Sequence, residues 1–497
     1  MKKVKKGGEQ FSGNLGLLIS ILGMAIGTGN IWRFPREVAS NNGGVFVILC
    51  LLAICVWAVP LICLESAIGK KTRMANAGSF KVLLGEKYTW LGAFCAMVCI
   101  MCGCYYTTVV GWITKYLLII LTGFIGDIRA GGVDFALQYF NNFAMKPPSY
   151  ESWCWFVVGI AMAGFIVYNG VEKGIERANK LLIPLVFLIF IVLLIRIVML
   201  PNAWKGFEYM FHVDPHDFLN PRIWLAAFTQ AAWSSGAGWG IYHVYYVYAQ
   251  KDDDVALNSF TVAFGDMAAA LLAGLVIIPA VFALSSDPIA VMKSGANGLT
   301  FVHLTNLFAH TAGGFVLAVL FFLALFSAGL STFISMLEVA VRNLIDMGFS
   351  RTRATLCVAT FFLVVGTWSA LDNRVFENQD MVWGVCLLAS GLIYSQMAVK
   401  YGLDRLWNED IAPYAEMNSK WMLSLIKFIP LEFLFVWGWW MIDAASWYPG
   451  EWFKFWPITK YQYTPGSMVV EWAILLVVCL SLNKIIAKRL VHSNKID

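Results

Sequence analysis

Charge is scarce in this sequence. Of its 497 residues only 13% are Asp, Glu, Lys or Arg, about half the share of an average globular domain. His is rarer still, with six in the chain, and His243, His303 and His310 share no metal-ligand spacing such as H-E-x-x-H. Eleven Cys are present, but Cys50, Cys55, Cys63, Cys95, Cys99, Cys357, Cys386 and Cys479 lie inside apolar runs. There a thiol behaves as a small hydrophobe, and no disulfide framework is expected. Between the apolar runs no stretch is long enough for a soluble domain, and neither a repeated filter loop nor a pore-lining polar stripe is found. These absences exclude a soluble enzyme, a nucleic-acid binder and a secreted disulfide scaffold. They also argue against a channel or a receptor-like sensor.

What the sequence does contain is apolar. Hydrophobic residues make up 59% of it and Gly accounts for 42 positions, with a mean hydropathy of +0.68. The apolar residues come in blocks, such as 45–60 and 181–200, with scarcely a formal charge inside. Runs of about 18 or more such residues read as membrane-spanning helices. The expectation is an all-α polytopic membrane protein with about 12 transmembrane helices, over 14–37, 44–69, 88–122, 153–169, 176–200, 222–249, 255–285, 314–346, 354–372, 380–401, 421–444 and 467–490. The opening Met-Lys-Lys-Val-Lys-Lys could begin a signal peptide. The apolar stretch from Leu15 carries no small-residue cleavage site before Arg33, so it is read as a retained first helix.

The net charge of +5, from 36 basic and 31 acidic residues, matters through its placement. With the N-terminus inside, cytoplasmic loops hold Lys70, Lys71, Arg73, Lys81 and Lys87, then Lys173, Arg177 and Lys180, then Arg342, Arg351 and Arg353. The opposite loops carry Asp127, Asp134, Asp214, Asp217, Asp372 and Glu377 with few bases. The Lys/Arg bias therefore predicts both termini in the cytoplasm, in a cell membrane of the prokaryotic inner-membrane kind.

Two segments break the helical pattern. The first contains Gly23-Met24-Ala25-Ile26-Gly27-Thr28-Gly29-Asn30, and the sixth contains Ser234-Ser235-Gly236-Ala237-Gly238-Trp239-Gly240. Each interior Gly costs a helix roughly 0.8–1 kcal/mol relative to Ala. Unwound backbone at membrane depth is tolerated only where it is buried in protein or lines a cavity. Breaks in helices one and six, corresponding members of two five-helix halves, point to an inverted-repeat transporter with its site at the midplane. The predicted organisation is a tail over 1–13, a first repeat over 14–200, a second over 222–401, two added helices over 420–490 and a tail over 491–497. Half-helix N-termini suit a carboxylate, and unwound carbonyls suit Na⁺ or an ammonium group.

The run Gly27-Thr28-Gly29-Asn30-Ile31-Trp32-Arg33-Phe34-Pro35, followed by Asn42-Gly43-Gly44, resembles the first-helix signature of the neurotransmitter:sodium symporter family, whose bacterial prototype is the leucine transporter. Pro60 through Glu65 to Gly69, Tyr105-Tyr106 and Ala328-Gly329-Leu330-Ser331-Thr332 resemble its second, third and eighth helices. The resemblance implies ten helices in two inverted halves plus two more. It also implies uptake of an amino-acid-like small molecule driven by sodium, with membrane lipid as the surroundings and no nucleic acid. By matching positions, the substrate carboxylate would meet Thr28, Gly29 and Tyr106, and its ammonium the carbonyls of Ala25, Trp233 and Ser234. Gly27 stands where monoamine transporters place an Asp, which favours a zwitterionic amino acid. Gly236, Trp239, Cys102, Thr332 and Met336 complete the implied wall.

Two sodium ions are implied. The first would be held by Ala25, Asn30, Ser234 and Asp266, the second by Gly23, Ile26, Ala328, Ser331 and Thr332. All-oxygen ligation suits a hard cation. Asp266 falls where the family usually has Asn, and Ala270 where its animal members have a chloride-holding Ser, so no chloride is expected. The implied outer gate is Arg33 with Gln230 and an acid of helix ten, where the register leaves Gln379 and Asp380 as alternatives. The implied inner gate is Tyr248 and Asp346 with Lys5 or Lys6. Gly174 lies ten residues before Pro184, a spacing that either lets helix five unwind or merely kinks it. Trp233 and Trp239 would either shrink the cavity toward a small substrate or offer cation–π faces to a betaine or another methylated derivative.

Overall fold

The computed structural model describes residues 9–490; the expected gate residues Lys5 and Lys6 lie outside the described residues. Every regular element among the described residues is helical, as a bilayer demands, because a helix satisfies its own backbone where no water can. The first span is a bent pair, α1a (Asn14–Ala25) and α1b (Gly29–Ser40), with 49° between its halves. Continuous helices α2 (Gly44–Thr72), α3 (Glu86–Leu121), α4 (Tyr150–Tyr168) and α5 (Val171–Val198) follow. The sixth span is broken into α6a (Pro221–Ser234) and α6b (Ile241–Tyr246). Continuous helices resume with α7 (Val255–Leu284), α8 (Gly314–Asp346), α9 (Arg351–Leu371), α10 (Asn373–Tyr401), α11 (Lys420–Trp447) and α12 (Pro465–Arg489).

Among the described residues, then, ten helices are long and apolar enough to cross a membrane, and the bent first pair makes eleven. The sixth segment does not pass as a continuous span because its halves are too short. α10 starts seven residues before its hydropathic segment. The Asp372 side chain caps it by accepting from the Arg374 N–H, and its polar first turns escape a hydropathy reading.

Burial sorts the helices. In α3, 89% of the most apolar stretch is buried inside the protein, against 22% in α11 and 11% in α12. α3 is thus the centre post, packed by α4, α8 and α10, while α11 and α12 present most of their surface to lipid. α1a packs on α5, α7 and α8, α1b on α7, and both halves of the sixth span on α2. That arrangement brings the two breaks together in the interior.

The sixth break is built from glycine and held by a carboxylate. Gly236, Gly238 and Gly240 have φ of +66°, +89° and +76°, a left-handed region that side chains resist. Glu65 of α2, fully buried, accepts from the Gly238 N–H at 2.6 Å and the His243 N–H at 3.5 Å. It thereby supplies acceptors to the start of α6b, whose first N–H groups have none of their own. α2 comes this close only because of Gly69, where an added Cβ would sit 2.0 Å from the His243 carbonyl oxygen. Gly69→Ala is therefore expected to lower the thermal unfolding midpoint in detergent, at an overpacking cost of about 1–3 kcal/mol. Gly438→Ala in α11, whose Cβ would meet nothing within 4 Å, serves as the control; identical midpoints for both variants would contradict this packing.

Candidate functional site

Both breaks open onto one cavity of about 660 Å³. Ala25, Gly27, Thr28, Gly29, Tyr106, Trp233, Ser234, Gly236, Trp239, Thr332 and Met336 all line it, so eleven of the twelve residues expected at a substrate face one space. Cys102 is the correction: it is fully buried and absent from the lining, and Tyr105 lines the cavity in its place. The cavity runs toward Arg33, Asp380 and the short helical segments that begin at Asn141 and Gly298.

At the first break, α1a ends because its hydrogen bonds are diverted. The Gly27 N–H, which a continuous helix would give to Gly23, donates instead to Asn30 Oδ1 at 2.9 Å. The Thr28 hydroxyl and N–H point to the Tyr106 hydroxyl oxygen, 3.2 and 3.5 Å away. A Cβ at Gly27 would lie 2.8 Å from Thr332 Oγ1 and 3.6 Å from the Tyr106 hydroxyl. The first helix, α3 and α8 thus converge on this one glycine, and any side chain there would displace Thr332.

Below that surface sits Asp266 of α7, 1% exposed. Asn30 Nδ2 donates to its Oδ1 at 2.6 Å and to its backbone carbonyl at 3.0 Å. Ser234 Oγ donates to the same Oδ1 at 3.0 Å. The carboxylate therefore joins the first break to the sixth. Among the described residues no Lys or Arg pairs with it. A buried carboxylate with neutral partners alone is expensive in a membrane, and a small hard cation fits this oxygen cluster.

The second expected set is buried away from the cavity, apart from Thr332, which reaches both. Thr332 Oγ1 donates to the Met24 carbonyl at 3.0 Å and Ser331 Oγ to the Ala328 carbonyl at 2.9 Å. Gly23, Ile26 and Ala328 are all buried, and α1a ends at Ala25, so its last carbonyls have no helical partner.

A profile of the sodium:neurotransmitter symporter family matches residues 8–126 and 150–493. The chain belongs to that family. An uncharacterized sodium-dependent transporter of Methanocaldococcus jannaschii is 31% identical over 375 residues, covering 72% of this chain and 74% of the relative. The sodium-dependent neutral amino acid transporter B(0)AT3 of Mus musculus is 25% identical over 493 residues, covering 80% of this chain and 79% of its own. Among solved structures, MhsT in complex with L-phenylalanine is similar with a TM-score of 0.77 at 29% identity, over 86% of this chain and 99% of that one. The protein is thus a multi-pass, sodium-dependent symporter and not an enzyme.

The symporter's two ends differ. At the cavity mouth, Arg33 pairs with Glu37 at 3.6 Å and lies over the Trp233 ring, 5.3 Å from its centroid. Asp380 lines the cavity with no ion pair to Arg33, and Gln230 Nε2 donates to the Gly29 carbonyl at 3.4 Å. Gln379 turns away, donating to Glu471 of α12 at 2.8 Å and accepting from Trp383; of the two alternatives in α10, Asp380 is the one that faces the cavity.

The opposite end is tied shut. Arg351 bridges Glu338 at 2.8 and 2.9 Å and also grips Glu9. Tyr248 donates to Glu338 at 2.5 Å. Asp346 pairs with Arg342 at 2.8 Å and accepts from the Ala75 N–H at 2.6 Å. The expected gate residues Tyr248 and Asp346 are both at this end, where their described partners are Glu338 and Arg342. Glu338, Arg342, Arg351 and Glu9 were not foreseen. Arg351 and Arg342 read in the sequence as loop charges that set orientation, and Glu338 offered one signal only, a carboxylate six residues past Thr332 in an otherwise apolar run.

Arg351→Ala strands the fully buried Glu338 without its cation. Unpairing a buried ion pair costs about 3–5 kcal/mol. The single variant should therefore melt well below wild type, and the double variant Arg351→Ala/Glu338→Gln should recover most of the loss. A double variant as unstable as the single one would show that the pairing is not the cause.

Proposed function

We propose that the protein imports a neutral amino acid with two sodium ions, by alternating access, without needing chloride. The observation that carries this reading is the buried Asp266 carboxylate, hydrogen-bonded to Asn30 and Ser234 where the two breaks meet. One sodium ion bound there by Asp266, Asn30, Ser234 and the Ala25 carbonyl would neutralise it. A second ion, held by Gly23, Ile26, Ala328, Ser331 and Thr332, would tie α1a to α8. The substrate's carboxylate would lie against the Thr28 and Gly29 amides and the Tyr106 hydroxyl, beside the first ion. Its ammonium would face the Ala25, Trp233 and Ser234 carbonyls. The tight surroundings of Gly27 leave no room for an amine-binding acid, which supports an amino acid over a decarboxylated amine.

The alternative of a betaine draws on two indoles set edge to face, 6.4 Å between centroids. Arg33 already occupies the neighbourhood of the Trp233 face, and one cation there repels another. That favours the neutral amino acid, with Trp239 and Met336 setting side-chain size. The two inverted repeats, over 14–200 and 222–401, rock about the site. The Arg33 end faces outward and the Arg351 end faces the cytoplasm, consistent with the Lys/Arg bias of the loops.

Four measurements test the reading. Purified protein in proteoliposomes should accumulate labelled neutral amino acids only under an inward sodium gradient. Tyr106→Phe removes a hydrogen bond to a charged group and should weaken binding by about 1.5–3 kcal/mol; unchanged affinity takes Tyr106 out of the site. Trp239→Phe should admit a bulkier side chain, and a selectivity profile identical to wild type would count against a size role for it.

With gluconate in place of chloride, wild type should transport normally and Asp266→Asn should not. The protein's own carboxylate at the first ion would then be gone, and Ala270 gives chloride no hydrogen bond with which to replace it. Wild-type uptake that collapses without chloride overturns this part of the proposal.

A further inference from the structure

Asn179 of α5 is fully buried, and neither its Oδ1 nor its Nδ2 has a hydrogen-bond partner among the described residues. A buried amide with both ends unsatisfied is costly, and packing alone would be served as well by Leu. Such a group is explained when a partner reaches it at another stage of the protein's cycle. Its position indicates which partner. A Cβ at Gly23 would lie 2.7 Å from Asn179 Oδ1, so the amide oxygen rests against the residue whose carbonyl belongs to the second sodium site.

The amide is one member of a polar seam. One turn earlier on the same face of α5 stands Glu176, 2% exposed. Its Oε1 would be 2.3 Å from a Cβ at Gly16, two turns before Gly23 on α1a. Its carboxylate accepts from the Ser12 N–H at 2.8 Å and from the Ser12 hydroxyl, and it pairs with Lys180 at 2.5 Å. Ser20, buried between Gly16 and Gly23 on α1a, donates to the Gly16 carbonyl at 2.8 Å. Small residues at 16, 20 and 23 alone would mean close helix packing, but close packing does not account for an unpaired amide at one end of the seam and a buried carboxylate at the other. Glu176 also closes a π-turn, Val171–Glu176, that follows Gly170 at φ +84°. Such turns recur at functional positions.

We propose that Asn179 is a way station for the second sodium ion. Its amide oxygen takes the ion from Gly23 and hands it along the α1a–α5 seam to Glu176, where the ion competes with Lys180 before it leaves past Ser12. The order runs from a neutral oxygen to an anionic one, so the exit attracts the ion. This rests on the two-sodium reading above.

The test is binding of ²²Na⁺ to the purified full-length protein without substrate, together with sodium-driven uptake in proteoliposomes. Asn179→Leu keeps the volume and removes the oxygen. It should slow release of the second sodium component by about tenfold, the worth of one ligand to a charged group, with substrate affinity at saturating sodium unchanged. Asn179→Asp should instead hold the ion at the way station, tightening sodium binding and slowing turnover; it also decides the matter if the Leu variant does not fold. Ser331→Ala separates the two ideas. Sodium binding that survives Ser331→Ala intact overturns the second site and the way station with it. Binding that Ser331→Ala weakens, while both Asn179 variants retain wild-type sodium release rates and turnover, overturns the way station alone.

Discussion

One carboxylate, without a basic partner among the described residues, holds the centre of this molecule. Asp266 accepts from Asn30 on one broken helix and Ser234 on the other, so the backbone irregularities of both meet on a single α7 side chain. Each break depends on the other. The Asn30 side chain that donates to Asp266 also accepts the Gly27 N–H, and that diversion is what ends α1a. If the cluster came apart, Gly27 would be free to continue the helix and the unwound carbonyls beside it would close up. Uncompensated negative charge inside a membrane protein is costly, so the cluster specifies both a geometry and a need for positive charge.

The two ends of the bundle use ionic groups differently. Around the mouth, Arg33, Glu37 and Asp380 stand beside a water-accessible space, where charge pairs contribute little. At the far end, Glu338 is wholly buried, and Arg351 holds it together with Glu9 and Tyr248. A buried pair of that kind is strong against separation but weak as a source of net stability. It suits a closure that must hold firmly and then be exchanged for another set of contacts.

Much of this was legible in the residues, and the reasons differ from place to place. Apolar runs marked the helices because lipid leaves the backbone no alternative. Paired glycine clusters marked the breaks, and at the sixth three positive φ values within five residues need glycine. Asp266 announced itself as a charge in an apolar run, and the structure has it bonded to Asn30 and Ser234, two residues the sequence grouped with it. What stayed hidden were pairings set by tertiary contact. Whether Gln379 or Asp380 faces inward is a matter of one residue of register, beyond any hydropathy pattern. Cys102, one turn from Tyr106, shares its helix face by spacing, yet packing leaves it outside the cavity. Glu338 and Arg351 lie on different helices, and nothing in either stretch names the other. Glu65 was visible as part of a motif, but its task of capping a distant glycine run was not.

The proportions of the first helix have a mechanical consequence. α1a is 12 residues long, about 18 Å at the rise of an α-helix, and its only continuation into α1b is the short stretch around Ile26–Thr28. Such a rod behaves as a lever with its fulcrum at the unwound residues. A tilt that shifts carbonyls near the fulcrum by a fraction of an ångström carries Asn14 through several times that distance. Small changes in how tightly oxygens at one end of the rod crowd together are thereby geared up into a larger displacement at its other end.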